Sequence, residues 1–111
     1  MIELTIKTHF DTALDVDVYF EQPETAPESF VLIEKIGSRR TNKLNSSTFA
    51  FQSYAGSMYE AAALNELVKT AADSLVTLDE IASAKLNSDY NFTDTTTKRY
   101  RYQAVYDFNH Y

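Results

Sequence analysis

Few side chains in this sequence are suited to acid–base, nucleophilic or metal chemistry. The two histidines, His9 and His110, stand at opposite ends of the chain, and the absence of cysteine excludes disulfides, thiolate zinc sites and cysteine nucleophiles. Phosphate-binding loops and nucleophile elbows need glycines at fixed spacing, whereas the only glycines, Gly37 and Gly56, stand alone between predicted elements. The sequence therefore predicts a protein that is not an enzyme and has no catalytic residue, cofactor or metal site.

One pair of carboxylates has a spacing that suits general acid–base catalysis, which needs two carboxyl groups close together on one surface. Asp15 and Asp17 alternate with Val16, Val18 and Phe20, which is the pattern of a short strand with one buried face. No histidine or arginine lies near the pair in the sequence. We interpret the two aspartates as the solvated face of that strand.

A second candidate is the run from Lys98 to Tyr102, which interleaves cations with aromatic rings. Single-stranded nucleic acid binds such stripes through base stacking and phosphate contacts. Strict alternation puts Tyr100 and Tyr102 on one face of a strand and Arg99 and Arg101 on the other. The formal net charge of −6 also opposes general affinity for nucleic acid. We therefore predict no specific binding of DNA.

Length and composition predict a soluble protein with a single domain. A chain of 111 residues, 44% of them hydrophobic, suits one α+β domain. No apolar run reaches 18 residues, so we expect no membrane association. Glu3 and Asp11 stand where a signal peptide would need a basic start and an apolar centre. We expect a protein that is made and kept inside a cell, or assembled there.

The clearest change of period falls at Gly56. Before it, Phe49 and Phe51 alternate with small or polar residues, as in a strand with one buried face. After it, the spacing becomes helical, and Ser57 with Glu60 forms the pattern of an N-terminal capping box. Its alanines should let this main helix lie close against the sheet. The predicted apolar stripe consists of Ala61, Leu64, Val68, Ala71 and Leu75.

The first fourteen residues fit two periods. Ile2, Leu4 and Ile6 alternate as in a strand, whereas Ile2, Ile6 and Phe10 also fit one face of a helix. Acid–base pairs at i,i+4 spacing favour an N-terminal helix. The predicted fold is therefore a mostly antiparallel sheet of about five strands, packed against the main helix and this shorter one.

Two alternating runs near the C-terminus, residues 82–92 and 100–108, predict an antiparallel hairpin. A turn centred on Thr95 would place Asp89 opposite Arg101. Such a pair of opposite charges contributes roughly 0.2 to 1 kcal/mol.

Two polar segments are predicted as loops around a central strand at residues 30–36. Glu21–Ser29 holds both prolines, which neither a helix nor a central strand tolerates. Gly37–Ser47 is predicted as a long exposed connection, mobile in the free subunit and ordered against an acidic patch on a partner. The alternative is an idle solvated tip. Four cations in and beside this segment form the predicted protein-interaction site: Lys35, Arg39, Arg40 and Lys43.

Charged residues are distributed in blocks along the chain. Residues 35–59 hold four bases and no acid, whereas residues 60–94 hold seven acids and two bases. Blocks of opposite sign suit self-assembly through complementary patches. The alternative is an ordinary solvated surface.

The order of these segments resembles that of the tail-completion or tail-terminator proteins of long-tailed bacteriophages. The resemblance spans nearly the whole chain and rests on the order of elements, the strand followed by a capped helix, and the closing aromatic strand. The segments that carry it are VYF at 18–20, FVLIEKIGSRR at 30–40, STFAFQSYA at 47–55, AAALNELVKTAADSL at 61–75 and RYRYQAVYDF at 99–108.

This resemblance implies a structural virion protein of the tail, assembled in the bacterial host cytoplasm. Such proteins form a ring, typically a hexamer, that caps the head-proximal end of the tail tube, ends tube growth and joins the tail to the head. The implied partners are further copies of the chain, the major tail tube protein and the head connector protein. DNA would pass through the lumen without specific binding, because acids lining it repel phosphates. The alternative function is a monomeric adaptor or inhibitor domain that binds a protein partner.

Overall fold

Five strands and two α-helices make up the computed structural model, which describes all 111 residues. The strands form one sheet in which all neighbouring pairs are antiparallel except the first two strands of the chain. This architecture confirms the predicted α+β class and the mostly antiparallel sheet. In chain order the elements are α1 (Ile2–Ala13), β1 (Asp17–Tyr19), β2 (Phe30–Thr41), β3 (Leu44–Ala55), α2 (Met58–Asp73), β4 (Ile81–Asn91) and β5 (Tyr100–His110).

The main helix, α2, begins where the sequence predicts. Ser57 is extended, and its hydroxyl accepts a hydrogen bond from the Glu60 N–H at 3.1 Å. The reciprocal bond to the Glu60 carboxylate, the second half of the predicted capping box, is not formed. The predicted apolar stripe is buried, and its last member lies in a 3₁₀ turn that follows the helix: Ala61, Leu64, Val68, Ala71 and Leu75.

The helical interpretation of the first fourteen residues is the correct one. Helix α1 buries Ile6 and Phe10 completely, whereas Leu4 remains exposed. The rings of Phe10 and Phe51 lie 4.9 Å apart between centroids. Both helices thus pack on one face of the sheet, around the phenylalanines of β3.

Two predictions about the first strands were wrong. The chain bends away after β1, so Phe20, predicted on the buried side of that strand, is 45% exposed. The strand predicted as central, β2, lies second from the edge, because the sheet order is β1-β2-β3-β5-β4 and β3 is the middle strand. Glu21–Ser29 contains no helix or strand, as predicted.

The prediction of a long irregular loop at Gly37–Ser47 was also wrong. Strand β2 extends to Thr41 and β3 begins at Leu44, so only Asn42 and Lys43 form the turn. Their φ angles, 53° and 69°, lie in the left-handed region that a two-residue type I′ hairpin needs. The sequence hid this hairpin because its strands lack apolar alternation and its turn lacks glycine. We call residues 37–47 the arm.

Strands β4 and β5 form the predicted hairpin in a different register. Asp89 pairs with Ala104 instead of the predicted Arg101. The turn adds an isolated bridge between Asp94 and Arg99, and β4 contains two bulges that each shift the register. A bulge adds one unpaired residue to a strand, so alternation alone cannot predict the pairing beyond it.

Candidate assembly surface

The four predicted interaction residues do not form a single cluster. Lys35 lies beside helix α1, and its Nζ is 3.6 Å from the carboxylate of Glu3. Arg39, Arg40 and Lys43 are exposed on the arm and form no ion pair with any carboxylate of their own chain. The structure therefore brings three of the four cations together at one end of the sheet and leaves the fourth paired separately.

The arm is held in the sheet by backbone pairing and by side-chain hydrogen bonds. Ser46 Oγ donates to Asn109 Oδ1 at 2.7 Å, and Ser47 Oγ lies 2.9 Å from His110 Nε2. Both contacts join β3 to the C-terminal end of β5. The cations are thus presented on an ordered hairpin rather than on an irregular connection, so binding a partner need not order this backbone first.

His110 is a buried titratable group at the base of the arm. Burial lowers the pKa of its imidazole, and the charge of nearby Lys35 lowers it further, whereas the carboxylate of Glu3 acts in the opposite direction. The neutral imidazole is therefore the form that the fold favours. Its contact with Ser47 links the protonation state of this residue to the attachment of the arm.

Beside the arm, the outer edge of β2 has no partner strand. The short strand β1 pairs only with residues 30–32 of β2, so residues 33–41 present unpaired backbone N–H and C=O groups along one side. A groove of about 430 Å³ runs next to this edge, between α1 and β2. Its apolar lining comes from Met1, Leu4, Phe20 and Ile33. Exposed apolar groups beside an unpaired strand edge are typical of a protein-binding surface.

The run of cations and rings at 98–102 makes contacts within the chain. Arg99 and Arg101 lie on the sheet face opposite the helices, as alternation predicts, and there they meet rings from other strands. Arg101 stacks 4.4 Å from the centre of the Phe92 ring, and its Nη1 donates to the Tyr54 hydroxyl at 2.9 Å. Sequence analysis missed these partners, because the rings belong to β3 and to the residue after β4 and only the sheet brings them beside β5.

A polar network also joins α2 to the sheet. Lys69 Nζ lies 2.9 Å from Asp89 Oδ2, and the Tyr106 hydroxyl donates to Asp73 Oδ1 at 2.7 Å. Burial raises the pKa of Tyr106, and the hydrogen bond to Asp73 raises it further. These contacts fix the helix on the sheet and give both carboxylates a partner.

The other chemically competent side chains are dispersed. His9 Nε2 contacts Ser74 Oγ at 2.7 Å, far along the chain from His110, and Asp15 and Asp17 are exposed around β1. No three His, Asp or Glu side chains are grouped so as to hold a metal ion. Neither helix has the length and apolar character needed to cross a membrane.

No protein-family model matches the chain, and a search of curated proteins found no match. Its candidate functional features are therefore those seen in its own residues: the cationic arm, the unpaired edge of β2 and the apolar groove beside that edge.

Proposed function

We propose that this chain is a structural protein of a long-tailed bacteriophage that caps the head-proximal end of the tail tube as a ring. The ring ends tube growth and joins the tail to the head connector. In the ring, a hexamer, each copy contacts further copies of the chain, the major tail tube protein and the head connector protein.

The observation that carries this proposal is the arm. Arg39, Arg40 and Lys43 are exposed, ordered and without a carboxylate partner, in a chain whose net charge is −6. Three like charges held together on one hairpin do not stabilise their own fold. Such a surface favours association with an acidic partner.

The order of elements supports the same proposal. The resemblance to tail terminators rests on an order of elements that this fold contains. They are a helix, a short strand, an acidic proline-containing loop, a buried strand, a strand leading into a capped helix, and a closing aromatic hairpin. The unpaired edge of β2 and its apolar groove give this fold a surface for further subunits.

Electron microscopy of tails purified with the protein tests the proposal. We expect ring-shaped density at the upper end of each tail, and tubes of uncontrolled length when the chain is omitted. Tails that lack this density and keep their normal length without the chain would contradict the proposal. A strictly monomeric protein that never joins a tail would favour the adaptor function instead.

A further inference from the structure

The sheet has two unpaired edges, and they lie on opposite sides of the molecule. One is the outer edge of β2 at residues 33–41, and the other is the whole outer edge of β4, which pairs only with β5. The two edges are of similar length. Edges of this kind are templates for pairing with another chain.

The strand directions of these two edges are opposite. Strand β2 is antiparallel to β3, β3 to β5 and β5 to β4, so β4 runs against β2. Rotating a copy about an axis parallel to the strands leaves strand direction unchanged. The β2 edge of one copy would therefore meet the β4 edge of the next in the antiparallel sense, which continues the pattern within the sheet.

The two edges carry opposite charges at the same level along the strand direction. Arg40 pairs with Asn45, Asn45 with His110, and His110 with Ile81, so Arg40 and Ile81 stand at opposite ends of one row across the sheet. Arg39, Arg40 and Lys43 surround one end of this row, whereas two exposed acids, Asp79 and Glu80, directly precede its other end. These acids form no ion pair within the chain.

Both edges also carry exposed apolar side chains. Beside β2 these are Leu4, Phe20 and Ile36, and on the β4 side they are Val76 and Leu86, each between 39% and 57% exposed. Association of the two edges would remove part of this surface from water, which favours a stable contact.

We infer that copies of this chain associate head to tail, with the β2 edge and arm of one copy against the β4 edge of the next, and with Arg39 and Arg40 facing Asp79 and Glu80. A heterologous contact of this kind closes into a ring when the rotation per copy allows it. The inference rests on the proposed ring and names the surfaces that build it.

Disulfide capture in the full-length chain tests this contact, since the protein contains no cysteine of its own. Thr41 and Ala82 are exposed, and each lies next to one end of the row that Arg40 and Ile81 terminate. We expect a mixture of Thr41→Cys and Ala82→Cys copies to form a covalent dimer under mild oxidation at low salt. Each variant oxidised alone should form little or none, because the contact is not self-complementary.

Charge reversal then tests whether Arg39 and Arg40 of one copy face Asp79 and Glu80 of the next. Arg39→Glu with Arg40→Glu is placed on the Thr41→Cys copy, and Asp79→Lys with Glu80→Lys on the Ala82→Cys copy. Either reversal alone should slow cross-linking about tenfold, which corresponds to about 1.4 kcal/mol. Both reversals together should restore the rate, because opposite charges face each other again. All positions are exposed, and circular dichroism is used to check that each variant is folded.

Three results would overturn the inference: no cross-link in the mixed sample, dimers of either single variant at the rate of the mixture, or no recovery when both reversals are combined. Should a reversed variant fail to fold, the salt dependence of the unreversed pair decides, because a contact between exposed charges weakens with ionic strength. The cross-linking test and the electron microscopy of tails can fail independently. Tails with a ring but no cross-link reject this contact alone, whereas a cross-link without any ring on tails rejects the tail function alone.

Discussion

The side-chain amide of Asn65 on α2 donates a hydrogen bond to the carboxylate of Asp89 on β4, with 2.9 Å between Nδ2 and Oδ1. Asn65 is 1% exposed, and its own carbonyl oxygen has no partner. The bond therefore satisfies the donor side of a buried amide and fixes α2 over β4. It also gives Asp89 a partner on the helix in place of the arginine that alternation alone predicts.

Asp89→Ala should lower the free energy of unfolding by about 1 to 3 kcal/mol, because it leaves the buried Asn65 amide without an acceptor. Lys69 would lose a partner as well. Urea unfolding measures the effect, with Asp15→Ala as the control, since Asp15 is exposed and forms no ion pair. Equal stabilities for the two variants would show that the bond contributes nothing.

Ser57→Ala should destabilise the protein by about 1 kcal/mol, because the Glu60 N–H loses the side-chain acceptor that caps α2. Glu60→Ala should cost less, since the reciprocal bond of the capping box is not formed. Thermal unfolding of both variants tests this order. An unchanged melting temperature for Ser57→Ala, or a larger loss for Glu60→Ala, would contradict it.

Helix α2 was predictable because its signals are local. Ser57 marks its first turn, and the spacing of the apolar residues repeats for four turns, so the buried face follows from the sequence alone. Buried Asn65 was not predictable. Its partner Asp89 lies 24 residues away on a strand whose pairing depends on two bulges.

The arm was mispredicted for a physical reason. Residues 37–41 of β2 are exposed, so they show no apolar alternation that would predict a strand. Only their pairing with residues 44–48 keeps them in the sheet. The four cations proposed to bind a partner stand out by their charge, because four bases and no acid occur in residues 35–59. The sequence did not show that Lys35 pairs with a carboxylate while the other three cations do not. The packing of α1 brings Glu3 beside Lys35, and this packing is seen only in the structure.

Val68→Asp should prevent normal folding, because it buries a carboxylate without a partner on the face of α2 that packs on the sheet. Leu67→Asp is the matched control, since the neighbouring side chain is 60% exposed. Circular dichroism and gel filtration of the two variants test the prediction. A soluble, normally folded Val68→Asp protein would mean that the helix buries a different face.

Acidification should destabilise the protein through His110. Burial lowers the pKa of this imidazole in the folded state, so between that pKa and the unfolded value of about 6.5 the unfolded chain binds more protons. The stability that the neutral imidazole contributes is fully present above about pH 6.5. It is lost as the pH falls from about 6.5 towards the lower pKa of the folded state. Urea unfolding between about pH 7.5 and 5.5 should show a smaller loss for His110→Gln than for the wild type. Identical losses would contradict the assignment.

Replacing Arg39 and Arg40 with serine should leave folding intact and reduce tail attachment. Both side chains are exposed and unpaired, and surface changes of this kind usually alter stability by under about 0.5 kcal/mol. Lys98→Ser is the control, because it removes an exposed cation near the opposite end of the sheet. Thermal unfolding and a tail-joining assay are measured on the same preparations. Normal joining would make the arm a solvated tip, whereas lost stability would give the arginines a role within the fold. We expect reduced joining for the Arg39/Arg40 double variant only, with unchanged melting temperatures for both proteins, because the arm, unlike Lys98, presents its charges beside the unpaired edge of β2.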